Sequence, residues 1–327
     1  MKELEKYGWR TGMGFPRYDE DHGYGVVVSR DKAVHGWGIL VFKLVMRKEI
    51  TERVEDAKKK GQLIVVDVDD FFEGLEPTNR AYESTSAERN EDNNREHYIK
   101  MIYEADAVIT STPFLYNYYS ARRKNVFLVR NGVDINRWRM RKDIAKTRPT
   151  IGWVGATPWR SSDLEQLDPY VGKFIEKHKL KFHHSGHTEG APRAAHQMNV
   201  KESMCSISGM QPILDYPKLF APMDIGLVPL NDVSFNHAKS FIKGLEYAAA
   251  GIPFVASGLP EYQYLADAGV GRVASSEEDW LYHLKELLDP GMRKDEALLN
   301  YDIVKERFSM EARGADWNDV MNKILEL

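Results

Sequence analysis

The chain has 327 residues, 43% of them hydrophobic and 29% charged, with a formal net charge of −4. That length allows two domains with a core each, and the slight acidity leaves no electrostatic footprint for non-specific binding to nucleic acid or to an anionic membrane. A single cysteine, Cys205, excludes an internal disulfide and a cysteine-built zinc site and suits a reducing cytoplasm. MKELEKYGWR has no apolar core for a signal peptide, and the longest apolar run, GILVFKLVM, is too short to span a bilayer and carries Lys43.

The opening segment YGWRTGMGFPRYDEDHGYG has no periodicity and no assignable element. From there strand-like runs alternate with helix-like ones: ILVFKL (39–44), a charged helix near 47–60, QLIVVDV (62–68), a helix near 94–104, DAVITS (106–111), a helix from Pro113, and NVFLVR (125–130). A basic segment without apolar periodicity, 137–150, reads as a linker. The alternation then restarts with TIGWVGA (150–156), a helix from Ser161, LKFHHSG (180–186), a helix near 216–221, DIGLVPL (224–230), a helix through Lys239 and Glu246, IPFVAS (252–257) and GVGRVA (269–274). Residues 276–327 read as helical, with Trp280, Leu284, Leu287, Phe308, Trp317, Val320 and Ile324 as packing positions. The pattern predicts an α/β protein of two Rossmann-like doubly wound domains, 1–140 and 141–309, facing each other across a cleft, with 310–327 as a C-terminal helix returning to the first domain.

FNHAKSFIKGLEYAAAGIPFVAS (235–257) is the most informative stretch. Spacings of four and three residues predict Lys239, Lys243 and Glu246 on one helical stripe, with Phe241, Leu245, Ala248 and Ala249 towards a core. Ser240 is expected in the first turn, where free N–H groups favour a phosphate. The axial rise from there to Glu246 would be about 9 Å. Gly251 and Pro253 end the helix before a buried parallel strand.

These residues resemble the C-terminal half of GT-B glycosyltransferases with a Glu-x7-Glu motif, typified by the family 4 (group 1) retaining enzymes. The resemblance implies that Glu246 binds the ribose of a nucleoside-diphosphate sugar and that Lys239, Ser240 and Lys243 bind its diphosphate. The first glutamate of the motif is replaced here by Ala238. RNGVDINRW (130–138) resembles the hand-over between the two GT-B domains, with Asn131-Gly132 expected as a positive-φ turn. In GWVGATPWRSSDL, Gly155 permits close backbone approach to the donor and Arg160 supplies a fixed positive charge, while Ser161, Ser162 and Asp163 suit helix caps. Asn231, Asp232 and Asn236 correspond to the loop that contacts the donor sugar.

Asp67, Asp69 and Asp70 close the strand QLIVVDVDD. Asp69 or Asp70 is the candidate acceptor base, with burial expected to raise its proton affinity, and His35 is the alternative. His183, His184 and His187 are expected to border the nucleotide pocket. The function implied is transfer of a sugar from a nucleoside diphosphate to a hydroxyl acceptor, retaining and without metal or other cofactor. The acceptor is a glycan, a protein, a small molecule or a modified nucleobase. A GT-B nucleotide-sugar epimerase and a catalytically silent nucleotide-sugar binding protein are the alternatives.

Overall fold

The computed structural model describes residues 2–13, 24–29, 39–43, 48–77, 79–86, 93–141, 146–157 and 161–327. Arg160, His35 and most of the glycine-rich opening segment lie outside them. The chain divides into two compact units: 1–131 with 238–240 and 310–327, and 132–237 with 241–309.

The first unit holds β1 (Arg10–Met13), β2 (Tyr24–Ser29), β3 (Ile39–Lys43), α1 (Lys48–Lys59), β4 (Leu63–Val68), α2 (Arg80–Thr85), α3 (Asn94–Glu104), β5 (Ala107–Thr110), α4 (Pro113–Ser120) and β6 (Val126–Leu128). Its six strands lie in chain order, β1-β2-β3-β4-β5-β6. β1, β2 and β3 pair antiparallel and β3 to β6 parallel. Neither N-terminal strand is among the elements expected from the sequence: RTGM is short and polar, while YGVVVS, with three consecutive valines, was overlooked.

Because every parallel crossover steps in the same direction, right-handed connections put their helices on one face of this sheet. Side chains alternate along each strand, and Ile39, Val41, Val65, Ala107 and Ile109 share a core with Leu4, Trp9, Val320, Met321 and Ile324. The chain's own two ends therefore cover the second face. The N-terminal one contributes a 3-10 helix, Lys2–Tyr7, and the Trp9 indole donates to Asn318 at 2.9 Å.

The second unit holds β7 (Thr150–Val154), α5 (Ser161–Glu165), α6 (Tyr170–Lys177), β8 (Lys181–His187), α7 (Ala194–Gln197), β9 (Cys205–Gly209), β10 (Ile225–Val228), α8 (Ser234–His237), α9 (Ile242–Ala249), β11 (Phe254–Ser257), α10 (Pro260–Asp267), β12 (Arg272–Ala274), α11 (Glu277–Glu286) and α12 (Pro290–Ile303). After it, α13 (Met310–Leu325) belongs again to the first unit. All six strands pair parallel in the order β12-β11-β10-β7-β8-β9. The order reverses between β7 and β10, so helices cover both faces and the loops after β7 and β10 start at the topological switch point. One face packs β10 and β11 residues against α9, α10 and Phe308; the other packs β7, β8 and β10 residues against α5, α6, α7 and α11. Gly251, at φ +71°, closes α9, its N–H bonding to Ala248 and that of Ile252 to Tyr247.

An aspartate immediately before an inner strand clamps the start of a neighbouring strand in each unit. Asp106 accepts from Ile64 N–H at 2.8 Å, and Asp224 accepts from Thr150 N–H at 2.8 Å. The two differ in burial. The Asp224 side chain is 1% exposed and pairs with Arg141 at 2.9 Å, whereas Asp106 is 28% exposed and pairs with Lys58 at 3.3 Å. Asp224→Ala leaves a largely buried guanidinium without its counter-charge as well as an orphaned N–H, and should cost about 3 kcal/mol or more. Asp106→Ala should cost about 1–2 kcal/mol, mainly the orphaned N–H. Urea denaturation of both variants checks the order, and equal losses would refute the burial argument.

Candidate functional site

In the first unit the parallel register of β3 and β4 sets Lys43 beside Asp67. The Lys43 ammonium lies 3.5 Å from Asp67 and forms an ion pair with Asp69, just past the strand end. Asn131 donates to Asp69 Oδ1 at 3.1 Å and, from the same nitrogen, to Ser240 Oγ at 2.9 Å. Lys239 Nζ lies 3.5 Å from Asp70 Oδ1, and the buried Thr112 hydroxyl donates to the Ala238 carbonyl at 3.1 Å. Lys43, Asp67, Asp69, Asp70, Asn131, Lys239 and Ser240 thus form one connected polar group.

The protonation pattern differs from the sequence expectation. Burial pushes Asp67 up to about 6; Lys43 opposes the shift and the charge of Asp69 adds to it. Burial also acts on Asp69, but the charge of Lys43 with hydrogen bonds from Lys43, Asn131 and Ser111 outweighs it, and the net direction is down. Asp69 is therefore a fixed anion rather than a carboxylate with raised proton affinity.

The motif helix also differs. α9 begins at Ile242 with Phe241 as its N-cap residue, so Lys239 and Ser240 precede the helix instead of occupying its first turn. The three-residue stripe does not form, because tertiary bonds to Thr112, Asn131 and Asp70 hold 238–240 in another conformation. Lys243 and Glu246 do share a face of α9, 2.7 Å apart. Tyr216, in a 3-10 helix (Tyr216–Phe220), donates its hydroxyl to Glu246 Oε2 at 3.0 Å and accepts from Lys243 at 2.5 Å. The Lys243 ammonium also lies 5.2 and 5.4 Å from the ring centroids of Tyr216 and Phe220. Tyr216 was missed in the sequence, since nothing local to DYPKLF signals a partner some thirty residues away on another element.

Asn236, expected to face donor sugar, is 5% exposed and spends its amide inside the protein. It donates to Asp163 Oδ1 at 2.8 Å and to the Asn231 carbonyl at 3.0 Å, while Asn231 N–H donates to the same Asp163 oxygen. Asp163, read as a cap, is thus the anchor of the loop after β10. Asn231 accepts from Gln166 at 3.2 Å, and Asp232 pairs with His237 at 2.5 Å. Both line a cavity of about 340 Å³ with Gln166, Tyr170, Gly258 and Glu277.

At Gly155 a Cβ would strike the Trp153 indole, and its carbonyl accepts from His184 Nε2 at 2.8 Å. Burial drives His184 down to about 4, against the Gly155 bond, so its ring is neutral at pH 7. His183 bonds Ser206 and Ser208, and His187 stands edge-on to His184 at 5.5 Å. Among the described residues no group of three His, Cys, Asp or Glu is arranged to hold a metal ion, and no helix is long and apolar enough to cross a membrane.

No family model matches the chain, and no curated protein sequence matches it. Solved structures do. Sucrose-phosphate synthase from Thermosynechococcus elongatus is similar over 89% of this chain and 74% of its own, at TM-score 0.63 and 13% identity. HepE from Anabaena, in complex with UDP and glucose, is similar over 88% and 78%, at 0.61 and 14%. WaaG, a glycosyltransferase involved in lipopolysaccharide biosynthesis, is similar over 82% and 80%, at 0.57 and 15%. The chain has the fold of the GT-B glycosyltransferases.

The Asp67 shift has a thermodynamic sign. Its folded value of about 6 lies above the ordinary aspartate value of 3.8, so the folded state holds this proton more tightly. Ionising Asp67 as pH rises through 6 therefore costs stability. Asp67→Asn removes that cost. Relative to the parent, the variant should gain nothing near pH 4 and up to about 3 kcal/mol above pH 7. Urea denaturation at pH 4, 6 and 8 measures the difference; a gain independent of pH would refute the assignment.

Proposed function

We propose that the protein transfers a sugar from a nucleoside-diphosphate donor to a hydroxyl acceptor, with retention of configuration and without a metal ion. The observation that carries this reading is the Glu246 carboxylate near the middle of α9, with Oε2 held by Tyr216 and Lys243. A carboxylate fixed by two donors is pre-organised to accept hydroxyl protons, the chemistry a ribose requires. Lys239 and Ser240, in the stretch that leads into the helix, supply a cation and a hydroxyl for the diphosphate. Lys239 would stabilise charge on the departing phosphate. Lys243 belongs with Glu246 at the ribose end in this reading, and Asp70, beside Lys239, is left as the carboxylate that positions the acceptor hydroxyl. HepE, crystallised with UDP and glucose, supports a uridine nucleotide as the first donor to try.

One observation favours the binding-protein alternative. Ala238, where the resemblance expects the first glutamate, is fully buried with its carbonyl tied to Thr112.

Incubation with a panel of nucleotide sugars separates the two, since an enzyme releases nucleoside diphosphate and a binder does not. Release should persist in EDTA. Glu246→Ala should weaken nucleotide binding by about 10- to 100-fold, and Tyr216→Phe by about tenfold or less, on the scale of one or two lost hydrogen bonds. Unchanged nucleotide affinity in a folded Glu246→Ala variant would remove the ribose assignment.

A further inference from the structure

We propose that Lys43, Asp69 and Asn131 are positioning residues that fix the Ser240 hydroxyl as a hydrogen-bond donor to the diphosphate; this rests on the donor reading above. Asp69, held anionic by its ion pair with Lys43, can only accept. The side-chain group of Asn131 that faces it at 3.1 Å must be the NH2, which fixes the orientation of that amide. The same NH2 reaches Ser240 Oγ at 2.9 Å, and a nitrogen of this kind has no lone pair to accept with. Ser240 is therefore the acceptor in that bond. Its own proton has no acceptor among the described residues and is left for a ligand. Lys239, the preceding residue, brings a positive charge that pairs with Asp70, and a donor hydroxyl suits an anionic oxygen.

The backbone supports a side-chain role for Asn131. The sequence predicts Asn131-Gly132 as a positive-φ turn, yet neither residue has positive φ. The asparagine is therefore not required by a left-handed conformation, and its amide is what the site uses. Asp69 accordingly acts through Asn131 on the donor side and not as the acceptor base.

Calorimetry with UDP and with uridine tests this, with ADP and GDP in place of UDP if the parent prefers them. Ser240→Ala, Asn131→Ala and Asp69→Asn should each weaken the diphosphate by about tenfold and leave the nucleoside unchanged. Asn131→Ala combined with Ser240→Ala should be no more than about twofold weaker than Ser240→Ala alone, because the second change removes a bond already without purpose. Ser240→Thr should retain affinity. Asp69→Asn preserves shape and serves if Asn131→Ala fails to fold. Losses that multiply to about 100-fold in the double variant, or nucleoside affinity falling in parallel, would overturn the relay while leaving the donor reading in place. A parent that binds no nucleoside diphosphate would overturn the donor reading itself, and the relay with it.

Discussion

Charge buried at the carboxyl end of a parallel sheet has to be balanced within the protein, and in the first unit Lys43 provides the balance. Two aspartates, Asp67 and Asp69, stand within its reach. One ammonium does not fully compensate two carboxylates in a poorly solvated position, so their proton affinities are driven apart: Asp67 upward, Asp69 downward. The unequal split comes first from Lys43, which sits closer to Asp69 than to Asp67, and then from the donors Asn131 and Ser111 that bond Asp69. Once Asp69 is a settled anion, the orientation of Asn131 follows, and with it the polarity of Ser240.

The two units reach a layered α/β architecture by different routes. In the second, reversal of strand order between β7 and β10 sends helices to both faces. In the first, the strands follow chain order, and successive right-handed crossovers would leave one face bare. Apolar residues on that face require a cover, and α13 with the N-terminal 3-10 helix provides it. The C-terminal segment is thus part of the first unit's core even though the whole of the second unit intervenes in sequence.

Much of this was legible in the sequence where burial is continuous. The runs LIVVDV, AVIT, IGLV and FVAS are β4, β5, β10 and β11, because strands covered on both faces must be apolar along their length. β1 was not legible, because RTGM is short and polar; β2 was overlooked although YGVVVS carries three consecutive valines. The motif stretch was read correctly for Lys243 and Glu246, whose i, i+3 spacing is local. It was misread for Lys239 and Ser240, where helical periodicity lost to three tertiary bonds. Asn236 was placed at the donor sugar, whereas its amide bonds Asp163 and the Asn231 carbonyl; a buried amide must find a partner, and the sequence does not say whether that partner is protein or ligand.

The pairing pattern bears on how an anionic ligand would be held. Lys239 has Asp70 within 3.5 Å, and Lys243 has Glu246 at 2.7 Å, so the cations of this stretch are not idle. Any diphosphate arriving there competes with carboxylates already in place, and loosening a pair offsets part of what the new contact contributes. Counting lysines therefore overstates the attraction. A hydroxyl whose oxygen is already occupied by Asn131 faces no such competition, because its proton has no acceptor among the described residues. In a stretch where the charges are largely spent on one another, the neutral donor at Ser240 is the group that a ligand can engage without displacing anything.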